Sequence, residues 1–174
     1  MSLYVVDVES DGQIPNVYSM VCFGAVKVDR EKDITFYGQT APISDIYDEE
    51  ALSISGFSRE QHLKFEEPRG TMYSFAQWIE ETNKSGRPVF ISDNLAFDWQ
   101  WINYYFHLYM GKNPFGWSGR RIGDLYCGLT KNAYDKWKHL RKTKHTHDPV
   151  DDAMGNAEVI IHMVDNMGLN LKLL

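Results

Sequence analysis

Residues 3–12 read LYVVDVESDG and contain the first strand of the predicted fold. Its apolar, β-branched beginning predicts a strand over residues 3–8. Side chains of a strand alternate between two faces, so Asp7 and Glu9 lie on the same face. An otherwise apolar strand has no structural need for two carboxylates there, although a solvated strand edge would explain the same spacing. The pair therefore marks a candidate functional site that needs support from elsewhere in the chain.

Two further extended segments, residues 19–28 and 33–39, follow the first strand after turn residues. Three successive strands predict an antiparallel meander. Afterwards the apolar spacing becomes helical, with a buried strand at 88–92 and a short strand within 120–125. The predicted helices span residues 48–54, 71–83, 95–110, 125–138 and 151–166, with Asp124 as the N-cap of the fourth. This order predicts the α/β class, with a mixed sheet covered by helices.

Composition favours one domain over residues 1–174, since 43% of the residues are hydrophobic. We expect a cytoplasmic protein with no membrane partner, because no apolar run approaches the ~18 residues of a membrane span. The beginning, MSLYVVDVES, also does not resemble a signal peptide. Cys22 and Cys127 lack C-x-x-C spacing, which predicts neither a disulfide framework nor a zinc site.

The net charge of −6 conceals an uneven distribution of charge. Residues 131–147 contain six of the 18 basic residues and one acid, Asp135. A basic segment of this kind favours phosphate groups. A solvated helix face explains it equally well.

Two more acids and a histidine complete the set of candidate residues. Asp98 lies in the first turn of the helix at 95–110, and Asp152 begins the last helix, five residues after His147. An acid in the first turn of a helix is favoured by the helix dipole whatever its function. His147 alone would be read as a solvated histidine in a basic loop. His145, which is followed five residues later by Val150, does not have the same spacing.

Taken in order, these motifs resemble the DEDDh subgroup of the DnaQ-like exonucleases, which is named for four acids and a histidine. VVDVESDG resembles the first motif, through Asp7, Glu9, Ser10 and Gly12. NLAFDWQWI resembles the second, through Asn94 and Asp98, and HDPVDDA resembles the third, through His147 and Asp152. ALSISGFS, at residues 51–58, resembles the family segment that packs beside the 3′-terminal nucleotide.

The resemblance implies a ribonuclease H-like fold, with a five-stranded mixed sheet whose first three strands are antiparallel, flanked by helices. It implies a 3′→5′ exonuclease that releases nucleoside 5′-monophosphates by a two-metal mechanism. Two Mg²⁺ or Mn²⁺ ions would be held by Asp7, Glu9, Asp98 and Asp152, with His147 as general base. Substrate contacts would come from Ser10, Gly12, Tyr18, Met20, Ile54, Phe57 and Asn94. Core packing is an equal alternative for Tyr18, Met20 and Phe57.

The expected partner is the 3′ end of single-stranded nucleic acid, and the first motif and the ALSISG segment favour DNA. An exoribonuclease that trims RNA is the enzyme alternative, and a non-catalytic end-binding module is the other. A homodimer is also expected, from dimeric relatives and from the aromatic residues of the helix at 95–110. These aromatics are Trp99, Trp101, Tyr104 and Tyr105, which would also suit a helix buried on two sides.

Overall fold

The computed structural model describes residues 2–171, which contain a five-stranded mixed sheet. The strands are β1 (Leu3–Ser10), β2 (Met20–Lys27), β3 (Thr35–Gln39), β4 (Val89–Ser92) and β5 (Arg120–Arg121). Their spatial order is β3-β2-β1-β4-β5. β1, β2 and β3 pair antiparallel, whereas β4 runs parallel to β1 and β5 parallel to β4. The predicted mixed sheet with its antiparallel meander is confirmed.

Helices cover both faces of this sheet. They are α1 (Glu49–Ile54), α2 (Arg59–His62), α3 (Pro68–Thr82), α4 (Leu95–Met110), α5 (Ile122–Thr130) and α6 (Pro149–Met167). The predicted helix at 95–110 is confirmed at both ends. α2 was not predicted because it has only four residues, although Ser58 and Gln61 form a capping box at its start. None of the helices within residues 2–171 combines the length and apolar content that a membrane crossing needs.

The predicted helix over residues 125–138 is wrong at both ends. β5 has only two residues, so α5 begins directly after it at Ile122 and Asp124 lies in the first turn instead of at the N-cap. α5 ends at Thr130 because Lys131 adopts a left-handed backbone with φ of 58°. The basic segment at 131–147 is therefore not a helix face. It is a loop with one short 3₁₀ turn at Lys138–Leu140.

Alternate residues of β1 contribute to two separate parts of the core. Tyr4, Val6 and Val8 pack with residues of α3 and α4, whereas Leu3 and Val5 pack with residues of α5 and α6. Asp7 and Glu9 continue the second series. The strand therefore points its two carboxylates towards the α6 side of the sheet, where apolar packing gives way to a polar site.

The first turn of α6 lies directly on the sheet beside these carboxylates. Gly24 of β2 is the partner of Asp7, and a Cβ atom at this position would collide with the backbone of Pro149 and Val150. Only glycine leaves room for this approach. The close contact brings Asp152, in the same first turn of α6, to the end of β1.

The aromatic residues of α4 divide between the core and the surface. Trp101 and Tyr105 are fully buried. Trp99 packs edge-on against Phe90, and the Tyr104 hydroxyl donates to Asn16 Oδ1. Core packing thus explains Trp101 and Tyr105, two of the four aromatic residues that suggested a dimer.

Candidate active site

Four carboxylates from three elements meet at the carboxyl end of β1. Oxygen atoms of Asp7, Glu9 and Asp152 lie within 4.8 Å of one another. Asp98 reaches the same end of the strand from α4, and its Oδ1 accepts a hydrogen bond from the backbone N–H of Val8 at 3.2 Å. The structure therefore brings together all four acids that the motifs singled out.

Burial and mutual repulsion both disfavour the charged forms of these acids. Burial, followed by the charge of Asp152, raises the pKa of Glu9 to about 7. The pKa of Asp7 is raised well above its usual range, first by burial and then by the negative charges of Asp98 and Asp152. Burial also raises the pKa of Asp98. Such a cluster is stabilised by protons or by cations.

The donor atoms suit a hard divalent cation. Mg²⁺ and Mn²⁺ take oxygen ligands, and the cluster offers carboxylate oxygens. Asp98 Oδ2 is buried and has no hydrogen-bond partner among residues 2–171, which is costly for an acceptor unless something else binds it. The residues present therefore fit a divalent metal centre.

Two histidines stand beside the carboxylates. His147 Nδ1 lies 3.7 Å from Glu9 Oε1, and its backbone adopts a φ of 61°, a strained region for a residue other than glycine. His145 Nδ1 lies 2.6 Å from Asp152 Oδ2, and the two imidazole rings are 4.3 Å apart. The motif spacing assigned only His147 to the site, whereas in the structure both histidines lie beside the carboxylates. The contact of His145 with Asp152 was not foreseen.

Arg141 is a site residue that the sequence did not reveal. Its Nη2 donates to Asp152 Oδ1 at 2.8 Å, and both side chains are buried. In the sequence it is one more cation in a basic segment. The available signal was Gly155, a glycine in the middle of a predicted helix, which indicates that something approaches the helix closely.

Asp11 is a second residue that was missed. It is fully buried, its Oδ2 forms an ion pair with Arg59 at 2.9 Å, and its Oδ1 accepts the Ser19 N–H at 2.5 Å. Arg59 also donates to the carbonyl of Ser44. This ion pair connects the loop after β1 to the start of α2. α2 directly follows residues 51–58, the segment that was expected to lie beside the terminal nucleotide.

Two of the expected substrate residues line a small cavity next to His147. Ile54 and Phe57 border a space of about 230 Å³ that also includes Tyr37 and His147. Ile54 is 47% exposed. An apolar wall of this kind beside an imidazole can accept a planar ring.

The other expected substrate residues fall into three groups. Ser10 donates to the carbonyl of Gly12, and the Tyr18 ring packs against Gly12, so these three shape the loop after β1. Asn94, the N-cap residue of α4, is exposed and its side chain makes no cap bond. Met20 is fully buried in the core, so the expectation that its side chain contacts substrate is corrected to core packing.

The basic segment borders a second cavity, of about 520 Å³, at the ends of β4 and β5. Two of the cations that line this cavity form ion pairs with acids that also line it. Lys138 Nζ lies 2.7 Å from Asp93, and Arg121 lies 3.1 Å from Asp124. Of the six cations in the basic segment itself, Lys138 and Arg141 form ion pairs with acids, and no such pair is found for the other four among residues 2–171. Only part of the positive charge of the segment is therefore neutralised.

Comparisons with known proteins agree with this geometry. No family model matches the chain. It is 34% identical to the 3′-5′ DNA exonuclease Cap18 of Escherichia coli over 181 residues, covering 97% of this chain and 94% of that protein. Among solved structures, the nuclease domain of 3′hExo, a DEDDh family member bound to rAMP, superposes with a TM-score of 0.77 at 17% identity, covering 97% and 94% of the two chains.

The cell-death related nuclease CRN-4 has a TM-score of 0.75 at 16% identity, covering 94% of this chain and 64% of its own. The E. coli ExoI–ssDNA complex has a TM-score of 0.68 at 18% identity, covering 95% and 41%. These structures share the ribonuclease H-like fold with this protein. The similarity to Cap18 extends over nearly the full length of both sequences and establishes the family as well as the fold. The chain belongs to the DEDDh family of 3′→5′ exonucleases.

Proposed function

We propose that this enzyme is a divalent-metal-dependent DNA exonuclease that removes nucleoside 5′-monophosphates one at a time from single-stranded 3′ ends. The convergence of Asp7, Glu9, Asp98 and Asp152 at the end of β1, with His147 beside Glu9, carries this proposal. A module that only bound nucleic-acid ends would not need a repelling cluster of buried acids. The carboxylates therefore argue against the non-catalytic alternative.

Two Mg²⁺ or Mn²⁺ ions bound by these carboxylates would activate the attacking water and neutralise the charge that develops on the phosphoryl and leaving oxygens. His147, whose Nδ1 lies 3.7 Å from Glu9 Oε1, would accept the proton of that water. Its side chain is 50% exposed and is carried by a segment without regular structure, so the proton can pass on to solvent. Asn94 stands free at the N-terminus of α4, where its amide can orient a phosphate oxygen.

The 3′→5′ direction of digestion is that of the relative Cap18, and the cavity beside His147 supports it as a place for the terminal base. The cavity beside His147 is about 230 Å³, below the ~300–1,000 Å³ of pockets for drug-sized ligands. A single base fits a space of this size. A strand that ends here presents its last phosphodiester bond to the carboxylates.

DNA is the favoured substrate because Cap18, the relative with full-length similarity, is a DNA exonuclease. The RNA-trimming alternative also has an observation in its favour, because one structural neighbour is a 3′-exonuclease that recognises histone mRNA stem-loops. Parallel digestion of single-stranded DNA, duplex DNA and RNA of one sequence distinguishes the two. Faster turnover of RNA than of single-stranded DNA would contradict the DNA proposal and favour the exoribonuclease.

The central test is digestion of a 5′-labelled oligonucleotide in the presence of Mg²⁺. We expect a descending ladder of products, no ladder in excess chelator, and recovery when Mn²⁺ or Mg²⁺ is added. A substrate blocked at its 3′ end should resist. Immediate release of labelled mononucleotide would show the opposite polarity.

We keep a single domain over residues 1–174, the cytoplasmic location and the homodimer as predictions. Light scattering at micromolar concentration tests the dimer. A mass equal to one chain of 20.2 kDa would reject it.

A further inference from the structure

A guanidinium group is built into the candidate metal centre. Arg141 Nη2 donates to Asp152 Oδ1 at 2.8 Å and to the backbone carbonyl of the same residue at 3.4 Å. Its side chain is 9% exposed and that of Asp152 is 1% exposed. Apart from the two histidines, Arg141 is the one cation in the described part of the chain that contacts any of the four acids.

The backbone next to Arg141 is anchored on α6. The N–H groups of Lys142 and Thr143 both donate to Glu158 Oε2, at 2.7 and 2.9 Å, and the Thr143 hydroxyl donates to Oε1 of the same residue. From this anchor the Arg141 side chain runs back along the helix towards Asp152. Glu158 thus holds the backbone at Lys142 and Thr143, and Asp152 holds the guanidinium of Arg141.

Gly155 makes this path possible. A Cβ atom at this position would lie 2.5 Å from Arg141 Nε and 2.8 Å from Nη2. Asp152, Gly155 and Glu158 are spaced by three residues and so lie along one side of α6. Glycine in a helix interior costs up to about 1 kcal/mol relative to alanine, and at this position the cost is offset by the space that the guanidinium occupies.

We propose that Arg141 is a positioning residue that holds the Asp152 carboxylate in the orientation needed for metal binding, in a cradle formed by Gly155. Together with the N–H groups of Thr146 and His147, which donate to Oδ1 and Oδ2 respectively, it fixes the rotation of the carboxylate. The proposal rests on the proposed metal dependence. Its effect is geometric, because a positive charge by itself would weaken cation binding.

This distinction makes the proposal testable without any change of charge. The Gly155→Ala variant keeps Arg141 and all four acids, but the added methyl group displaces the guanidinium. Alanine is the better helix residue, but displacing the guanidinium breaks its buried ion pair with Asp152, so we expect a lower thermal unfolding temperature and measure binding below it, where the variant is folded. The matched control is Gly128→Ala in α5, where nothing lies within 4 Å of the added atom.

The measurement is Mn²⁺ binding by calorimetry, without nucleic acid. Gly155→Ala should bind Mn²⁺ about 10- to 100-fold more weakly, the usual effect of removing a group that orients a metal ligand, and Gly128→Ala should bind like the unaltered protein. Arg141→Lys, which keeps the charge but not the planar fork, should lose affinity in the same direction.

Unchanged affinity in a folded Gly155→Ala protein would overturn the proposal. So would tighter binding by Arg141→Met, since Arg141 would then act only as a charge. Failure of the proposed function gives a different result, because the unaltered protein itself would not bind Mn²⁺.

Discussion

His145 Nδ1 lies 2.6 Å from Asp152 Oδ2, which places a second imidazole on a candidate metal ligand. His147 instead faces Glu9, at 3.7 Å, and both imidazoles are about half exposed. The two histidines are thus adjacent but have different partners, and substitutions can separate their roles.

His147→Ala should lower kcat by about 10²- to 10⁴-fold, the usual range for losing a general base. His145→Ala should leave kcat at saturating Mg²⁺ nearly unchanged. It should lower the Mg²⁺ concentration for half-maximal rate, because an imidazole no longer competes for Asp152. Single-turnover rates across a Mg²⁺ titration measure both effects. A dead His145→Ala protein with an active His147→Ala protein would reverse the two assignments.

Asp7→Asn should abolish activity while stabilising the metal-free protein. The pKa of Asp7 is raised by burial and by the neighbouring acids, so a neutral amide relieves both costs. We expect the metal-free unfolding temperature near pH 8 to rise by several degrees, since about 1 kcal/mol shifts it by roughly 2–4 °C in a chain of this size. A lower temperature for Asp7→Asn than for the unaltered protein would contradict the electrostatic picture.

The metal-free protein should become less stable as the pH rises. The pKa of Glu9 is raised from 4.5 to about 7 in the folded state, so between these values the folded chain binds more protons than the unfolded chain. The stability that this proton contributes is present at low pH and is lost as the pH passes about 7. Urea unfolding in chelator at about pH 5 and about pH 8 measures the trend. Glu9→Gln should flatten it, and a slope unaffected by this substitution would assign the trend to other groups.

Ile54→Ala should raise KM for 3′ ends by roughly tenfold with little change in kcat. Ile54 is 47% exposed on the wall of the cavity beside His147, so its removal costs contact area with the terminal base and no core packing. Burying an aliphatic side chain against a ligand contributes about 1.5 kcal/mol or more. Leu63, which is 58% exposed and outside that cavity, provides the control variant Leu63→Ala. Equal KM values for the two variants would remove Ile54 from the substrate site.

Arg59→Met should destabilise the fold by about 3–5 kcal/mol, because it removes the arginine from the buried Asp11 carboxylate and leaves only the Ser19 N–H and the His62 imidazole, 3.6 Å away, beside it. The double variant Arg59→Met with Asp11→Asn should recover part of this loss. Urea denaturation of the single and double variants gives the coupling between the two groups. Additive effects would show that the ion pair is not the source of the stability.

The amino-acid sequence was sufficient to predict the meander of the first three strands, the extent of α4 and the four acids that meet at β1. The strands and the helix follow from local periods of two and about 3.6 residues, whereas the four acids were identified by the resemblance of three motifs to the DEDDh exonucleases. The same locality explains the error over residues 125–138. The left-handed backbone at Lys131 ends α5 there, and nothing in the hydrophobic pattern marks it.

The polar groups that surround those acids depend on how the elements pack in three dimensions. Arg141 reaches Asp152 because the chain after it is anchored on Glu158 and because Gly155 leaves space, and each contact joins segments that no local period relates. The packing of separate elements also buries Met20 in the core and brings His145 into contact with Asp152. A side chain's partners depend on how separate elements pack, so they appear only when the elements are assembled.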